Sequence, residues 1–417
     1  MQRVLVVDKN RDPLMPCHPA RARELLKNGR AKVLRRYPFT IILLDRESGD
    51  IQPVTLKIDP GSKTTGLALV ADSQCGKRVV WAGELNHRGE QIKAGLLSRK
   101  QLRRGRRSRK TRYRQPRFDN RRRAKGWIPP SLRSRVNNIL TWVERLRRFT
   151  PVCAISMELV KFDTQAIQNP EISGIEYQQG QLMGYEVREY LLEKWGRKCA
   201  YCGTTDVPLE IEHIIPKSRG GSNRVSNLTL SCTTCNQRKG NQTAAEFGYP
   251  KIQDKAKQPL KDAAAVNTTR WTLYRRLEQL DLPLEVGTGA CTKYNRTRQN
   301  YPKEHWIDAA CVGVSGEKVH ITSGTTPLII KATGRQSRKM CCPDKYGFPR
   351  TKAKHDRVHY GFQTGDIVLA TIPKGKYTGM HIGRVVVRSK PSFKLNNFSV
   401  HPKYLKILHH ADGYSYQ

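Results

Sequence analysis

The sequence predicts an α/β multidomain chain. Segments of strand and helix character surround a zinc-bound ββα module, with a small N-terminal α/β domain and a C-terminal β-rich domain. Three observations predict it. Short apolar runs of strand character interleave with segments of three- and four-residue apolar spacing. Two C-x-x-C pairs, Cys199/Cys202 and Cys232/Cys235, stand 29 residues apart, the arrangement of a clamp for a tetrahedral metal. Beyond residue 320, short β runs alternate with Gly/Pro/Lys turns such as Pro373-Lys-Gly-Lys376.

The chain has 417 residues, with 76 Lys+Arg against 35 acids and a formal charge of +41. That length accommodates several cores. A membrane surface or an acidic protein also attracts such a charge, but the basic residues are locally concentrated and arginine-rich. The guanidinium fork matches phosphate, so nucleic acid is the expected partner. Composition alone leaves open a protein that merely neutralises RNA. The eleven cysteines do not read as a secreted disulfide framework. The start, Met-Gln-Arg-Val-Leu-Val-Val-Asp, lacks a charged-then-apolar leader. No apolar run approaches the roughly 20 residues of a membrane span. An odd count with two C-x-x-C pairs points to a reducing compartment and metal binding, and a soluble cytoplasmic protein is expected.

In chain order, residues 1–53 read as a small α/β domain, with strands at Val4 to Val7, Ala31 to Leu34 and Phe39 to Leu44. A helix from Pro19 to Asn28 is stopped by Gly29, and Asp12 to Cys17 reads as a turn. Residues 54–96 hold Val54-Thr-Leu-Lys-Ile-Asp59, Gly66 to Val70 and Val79 to Ala82, the first two as a hairpin with Asp59 at its tip. Residues 97–130 are an arginine-rich helix and its exit. From Arg99 to Lys125 fifteen Lys/Arg accompany one acid, Asp119, and such a run repels itself unless a polyanion neutralises it. The part before Pro116 can be helical, about 30 Å long. Residues 131–195 contain an amphipathic helix (Leu132, Val136, Ile139, Val143, Leu146, Phe149), the strand Val152 to Glu158, and a helix from about Gln179 to Trp195. Residues 196–248 form the cysteine module. Residues 249–320 hold a helix at Trp271 to Leu280 and the segment His305-Trp-Ile-Asp308. Residues 321–417 form the β-rich end, with strands at Ile367 to Ala370 and Ile382 to Val387.

Zinc is held by four N or S ligands, and each C-x-x-C knuckle supplies two thiolates. The cysteines enclose Glu210-Ile-Glu212-His213 and Asn227, with Asn236 just beyond. A purely structural ribbon would leave these as ordinary surface groups. Their chemistry suggests more. His213, at a strand end, can take a proton from water attacking a phosphate. Glu212 or Glu210, with Asn236, could hold a hard cation, and Asn227 could accept from the imidazole N–H and orient it. A second constellation is split along the chain: Asp59, Glu158, His305 and Asp308 each sit at a strand end or helix start. Singly, each has a bland reading: Asp59 and His305 as caps, Glu158 as a partner of Lys161. Together they fit carboxylates converging on divalent ions that stabilise both the attacking and leaving oxygens of a phosphodiester.

The segments Cys199-x-x-Cys202, Glu210-Ile-Glu-His213-Ile-Ile-Pro216, Ser226-Asn227-Leu228 and Cys232-x-x-Cys-Asn236-x-x-Lys239-Gly240 resemble zinc-bearing HNH nucleases, with asparagine in place of the final histidine. Ile58-Asp-Pro-Gly-Ser62, Ile155-Ser-Met-Glu158 and His305-Trp-Ile-Asp308-Ala309 resemble the three pieces of a split RuvC-like domain of RNase H-like fold. The HNH unit lies between the second and third pieces, as in the CRISPR type II effector. Pro13-Leu-Met-Pro16-Cys is similar to the small N-terminal domain of the IscB family, and the arginine-rich stretch to its bridge helix. Asp344 to Pro349 and Gly361 to Asp366 are similar to that family's C-terminal end.

The resemblance implies an RNA-guided DNA endonuclease, a prokaryotic cytoplasmic ribonucleoprotein of one protein copy with a structured guide RNA of the ωRNA kind. The HNH site would cut the guide-paired strand with His213 as general base and Glu212, Asn236 and Asn227 around it. The RuvC-like site, with Asp59, Glu158, His305 and Asp308, would cut the displaced strand. Magnesium would sit on Asp59, Glu158 and Asp308 and on Glu212 and Asn236, and structural zinc on Cys199, Cys202, Cys232 and Cys235. Arg99, Arg103, Arg104, Arg106, Arg107, Arg109, Arg112 and Arg114 would meet the guide and heteroduplex, and Lys374, Lys376, Arg384 and Arg388 the DNA flanking the target. Arg21, Arg23, Lys27, Arg30, Arg35 and Arg36 are expected RNA contacts of the N-terminal domain. Two rivals remain: a guide-free HNH homing or restriction-type enzyme, and a nonenzymatic zinc-bearing RNA-binding protein.

Overall fold

A computed structural model describes residues 2–108, 127–159, 183–205, 207–257, 263–334, 344–345, 348–352 and 356–417. Arg109, Arg112 and Arg114 lie outside the described residues, as do the start of the helix expected from Gln179 and the middle of Asp344 to Pro349; the Arg106 side chain is also not described.

Strands β1 (Val4–Val7), β2 (Pro13–Cys17), β3 (Ala31–Arg35) and β4 (Thr40–Leu43) form a sheet in the order β2-β1-β4-β3. Helix α1 (Pro19–Lys27) packs Ala22 and Leu25 onto it, against Val4, Val6, Leu14 and Ile41. The segment expected as a turn, Asp12 to Cys17, instead supplies β2, antiparallel to β1. Its two prolines lack amide donors, and the strand lies at the sheet edge, where that lack is tolerated.

The central sheet takes β5 (Val54–Pro60), β6 (Thr64–Ser73), β7 (Gly76–Asn86) and β8 (Val152–Glu158). After a separate hairpin of β9 (Leu209–His213) and β10 (Leu228–Cys232) it adds β11 (Leu284–Gly287) and β12 (Leu328–Ala332). The C-terminal strands follow: β13 (Val358–His359), β14 (Phe362–Gln363), β15 (Ile367–Ile372), β16 (Gly379–Val386), β17 (Phe393–Leu395), β18 (Phe398–Val400), β19 (Leu405–His409) and β20 (Tyr414–Tyr416). The central order is β11-β8-β5-β6-β7-β12-β20. β5, β6 and β7 form an antiparallel meander, β8 runs parallel to β5, and β11 parallel to β8.

Along the chain the described helices after α1 are α2 (Gly89–Ser108), α3 (Pro130–Phe149), α4 (Met183–Lys194), α5 (Thr233–Lys239), α6 (Lys251–Lys257), α7 (Ala263–Leu277), α8 (Gly289–Arg298) and α9 (His305–Ala310). On one face of the sheet α3 and α7 cover Leu56, Ile58, Leu67 and Leu69 with Val136, Ile139, Trp142, Val143, Leu146, Leu273 and Leu277. Each such side chain contributes roughly 2 kcal/mol on burial, and Trp81 stacks on Trp142 at 6.0 Å. On the other face α9 covers Ala68, Val70 and Ala82 with Trp306 and Ile307. β5 is therefore covered on both sides, and its 54–60 run is almost wholly buried.

The helix expected to begin in the basic stretch starts earlier, at Gly89. The C-terminal region is also less separate than its composition suggests. Its five-stranded antiparallel sheet, β18-β17-β16-β15-β19, has its own core of Val368, Val385, Phe393 and Leu395. Its first and last strands, β12 and β20, extend the central sheet instead. No described helix is long and apolar enough to cross a membrane.

Candidate active sites

In the cysteine module β9 and β10 pair antiparallel, with His213 opposite Leu228 and Leu209 opposite Cys232. Cys232 ends β10 and Cys235 lies in the first turn of α5. The other knuckle turns through Gly203 at φ 77°, where Gly203 N–H donates to the Cys199 carbonyl at 3.0 Å; a left-handed turn of this kind suits glycine. Ala200 N–H donates to the Leu230 carbonyl at 2.8 Å and pins this knuckle to β10. The four sulfurs lie within 4.8 Å of one another, and Cys202 Sγ is 3.8 Å from Cys232 Sγ. A tetrahedron with bonds of about 2.3 Å has edges of about 3.8 Å, so donor set and spacing fit one zinc ion. The Thr204 hydroxyl holds the Cys202 thiol down to about 6, whereas burial pushes Cys235 up to about 12. A bound dication favours the thiolate form of its ligands.

His213 stands half-exposed at the end of β9, with Nε2 3.0 Å from Asn223 Oδ1. With that oxygen as acceptor the ring proton sits on Nε2, and Nδ1 keeps its lone pair. Asn227, the expected orienting residue, does not do this. Its Oδ1 accepts from Ile215 N–H at 2.9 Å, and its Nδ2 donates to the carbonyls of Ile215 and Ser222 at 2.9 and 3.0 Å. The loop after His213 curls around the buried Asn227 amide and presents Asn223 to the ring. The two glutamates also separate. Buried Glu212 accepts from Lys239 Nζ and Tyr201 Oη, each at 2.6 Å. Lys239 also holds the His213 carbonyl at 2.9 Å. Glu210 accepts from Asn236 Nδ2 at 2.6 Å and from Thr233 Oγ1 at 3.2 Å. The carboxylate beside Asn236 is thus Glu210, while Glu212 is engaged in a buried ion pair.

The split acidic residues are gathered by one close approach. Gly66 on β6 pairs with Asp59 on β5, and a Cβ at Gly66 would lie 1.8 Å from the His305 carbonyl oxygen. The start of α9 therefore rests directly over the Asp59–Gly66 pair. His305 Nδ1 lies 3.9 Å from Asp59 Oδ2, and Asp59 raises the His305 pKa. Burial, followed by the Asp59 charge, pushes Glu158 up to about 7 and Asp308 up to about 6. Two arginines moderate this charge. Arg270 on α7 meets Glu158 at 3.0 Å and donates to the Pro60 carbonyl at 3.1 Å. Arg296 on α8 meets Asp308 at 2.9 Å. Glu158 thus pairs with Arg270; Lys161, its partner in the bland reading, lies outside the described residues.

Among the described residues only the cysteine quartet meets the 4.8 Å spacing of a compact ligand set. The acidic trio is not part of such a set, and Arg270 and Arg296 each hold one of its carboxylates. Several carboxylate oxygens gathered at one place suit a hard dication. Neither arginine, nor Asn223, carried a sequence signal of its own.

Basic residues expected at nucleic acid divide. Arg99, Arg103, Arg104 and Arg107 lie exposed along α2, and Lys374, Lys376 and Arg388 are exposed in the C-terminal region. Arg384 is committed elsewhere: its guanidinium donates to the carbonyls of Gly365 and Tyr414 at 3.1 and 2.8 Å. Its position on β16 turns it toward the β20 side, where those carbonyls need donors.

Comparison with protein families decides the class of the cysteine module. Residues 199–251 match the HNH endonuclease family. Residues 4–180 match the family described as RRXRR protein. Together the two matches support a nuclease of the Cas9/IscB type. Comparison with curated proteins gives no match. Among solved structures, Streptococcus thermophilus Cas9 in complex with the GGAA PAM aligns at 13% identity, over 62% of this chain and 32% of that one, with a TM-score of 0.24. The complexes with the AGGA and AGAA PAMs give the same identity and coverage, with TM-scores of 0.24 and 0.21. The chain spans 32% of the length of those proteins, and at such TM-scores the alignments carry no weight.

Proposed function

We propose that this protein is an RNA-guided DNA endonuclease of the IscB kind, cutting the guide-paired strand at the HNH site and the displaced strand at Asp59, Glu158, His305 and Asp308. One observation carries the reading: the HNH endonuclease match lies between β8 and β11, which pair in the sheet whose strand ends carry the acidic residues. A single chain thereby holds two sites of phosphodiester chemistry, which accounts for a double-strand break without dimerisation.

At the HNH site, His213 Nδ1 takes a proton from water as it attacks phosphorus. Asn223 holds the ring, and Lys239 fixes the strand end through the His213 carbonyl. Glu210 and Asn236 offer oxygens for a divalent ion, and the four cysteines would hold zinc as a structural staple. At the acidic site, Asp59, Glu158 and Asp308 would hold magnesium, which when bound stabilises charge on the phosphate oxygens. His305, drawn toward its protonated form by Asp59, is placed to protonate the leaving oxygen. The exposed arginines of α2 follow a nucleic-acid backbone, with base pairing to the guide supplying sequence choice.

The test is to purify the protein with its nucleic acid, sequence what is retained, and assay duplex cleavage before and after RNase treatment. The reading predicts a discrete structured RNA and cleavage that needs both it and magnesium. Full cleavage without RNA would establish the guide-free HNH enzyme; bound RNA with no magnesium-dependent cleavage would establish the packaging protein.

A further inference from the structure

We propose that Lys57, Ser315 and Glu285 form a bracket fixing the distance between β5 and α9, with the buried Lys57 a positioning residue for the ligands Asp59 and Asp308. The inference deepens the acidic-site reading and rests on it. Lys57 precedes Asp59 by two residues on β5 and so faces the same side of the sheet. Strand register sets Lys57 beside Ser156 and Ser156 beside Glu285. This row lies directly beneath the strand ends that carry Asp59 and Glu158.

Lys57 is 1% exposed, and its Nζ donates to the Val312 carbonyl at 2.6 Å and to Ser315 Oγ at 2.5 Å. The Ser315 hydroxyl donates onward to Glu285, which also accepts from Ser315 N–H at 2.9 Å. Ser315 therefore acts as a link and not as a nucleophile, because its proton is committed to Glu285. From the opposite side, Asn295 on α8 donates to the carbonyls of Cys311 and Gly313 at 3.0 and 2.7 Å.

Helix α9 is six residues long. Its first residue rests on Gly66, and the carbonyl of Val312, just past its last turn, is gripped by Lys57. Both ends of the element carrying His305 and Asp308 are thereby tied to the sheet, one to β6 and the other to β5, which carries Asp59. Methionine would fill the Lys57 volume without the strong penalty of burying an ammonium group. What methionine lacks is a hold on Val312, a favourable cation at the C-terminal end of α9.

The test measures Mn²⁺ binding to the protein–RNA complex by electron paramagnetic resonance, beside strand-resolved cleavage. The Mn²⁺ population removed by Asp59→Asn defines the acidic site. Lys57→Met and Ser315→Ala should each weaken that population by about 10–100-fold, as loss of an outer-shell support does. The Mn²⁺ needed for the displaced-strand cut should rise in step, with the guide-paired cut and zinc content unchanged. Wild-type Mn²⁺ affinity in Ser315→Ala and in whatever Lys57→Met protein folds would overturn the inference, as would equal loss of both cuts. If Lys57→Met does not fold, Ser315→Ala at its half-buried site decides alone. If the wild-type complex shows no Mn²⁺ population dependent on Asp59, the acidic-site reading itself fails, and the bracket with it.

Discussion

At the scale of single residues, two asparagines in one loop separate an orienting role from a structural one. Asn223 touches the His213 ring, whereas Asn227 satisfies three backbone groups of the loop. Asn223→Ala should slow cleavage of the guide-paired strand with little change in melting temperature. Asn227→Ala should destabilise the module by about 1–3 kcal/mol, the cost of leaving buried polar groups unpaired. Kinetics and thermal melts on the same two variants check this, and a reversed pattern would return the orienting role to Asn227. Glu158 and Asp308 give a pH prediction. An acid whose folded pKa is raised keeps its proton longer in the fold, so its ionisation weakens the metal-free protein as pH rises from its unfolded value of about 4 through about 7 for Glu158 and about 6 for Asp308. A dication needs the ionised forms and competes with those protons. Displaced-strand cleavage at limiting magnesium should therefore fall as pH drops through this range, and excess magnesium should restore it. Failure of magnesium to restore it would place the titration elsewhere.

At the scale of elements, the seating of α9 on β6 is the contact on which the acidic site depends. Gly66→Ala places a methyl 1.8 Å from the His305 carbonyl, so helix and sheet must part, at a cost of about 1–3 kcal/mol. The displaced-strand cut should be lost and the guide-paired cut kept, as read on strand-labelled DNA. For the HNH unit, Cys199→Ser should lower zinc content and thermal stability together; a native protein with no zinc would refute the clamp.

Elements with strong periodic signals were legible in advance. The apolar positions of α3 and the strand Val152–Glu158 lie where spacing puts them. Edge strands were not: β2 carries prolines, and four-residue β11 becomes a strand only because β8 offers it a partner. The burial of Lys57 was not legible either, because one-dimensional spacing cannot show that α9 covers the second face. Asp59, Glu158 and Asp308 were legible as candidates. Their arginine partners were not, since they come from helices whose docking no local pattern reveals.

At the scale of the whole molecule, Asp412 ties three regions together. It pairs with Arg35 of the N-terminal sheet and Arg145 of α3, each at 3.1 Å, while Tyr37 stacks on Tyr416 at 4.3 Å. Despite opposition from burial, hydrogen bonds from His409 and Tyr416 and the Arg145 charge hold the Asp412 carboxyl down to about 2. A depressed folded pKa stabilises above the unfolded value of about 3.9 and is lost as pH falls toward 2, which gives about 2 kcal/mol at neutral pH. Asp412→Asn should lower the melting temperature at pH 7, with the difference shrinking in acid; a gap that does not shrink would show that the anion is not the cause. The charge of +41 belongs to the same scale. If ten basic residues meet phosphates, log affinity for RNA should fall with log salt at a slope of roughly −7 to −9. The central claim is that one chain aims two independent phosphodiester-cutting sites at opposite strands of one duplex. Strand-labelled DNA digested by the RNA-loaded His213→Ala and Asp59→Ala variants tests it most directly. The account predicts two complementary nickases, His213→Ala cutting only the displaced strand and Asp59→Ala only the guide-paired one. Loss of both cuts in either single variant, in protein that remains folded and RNA-bound, would contradict it.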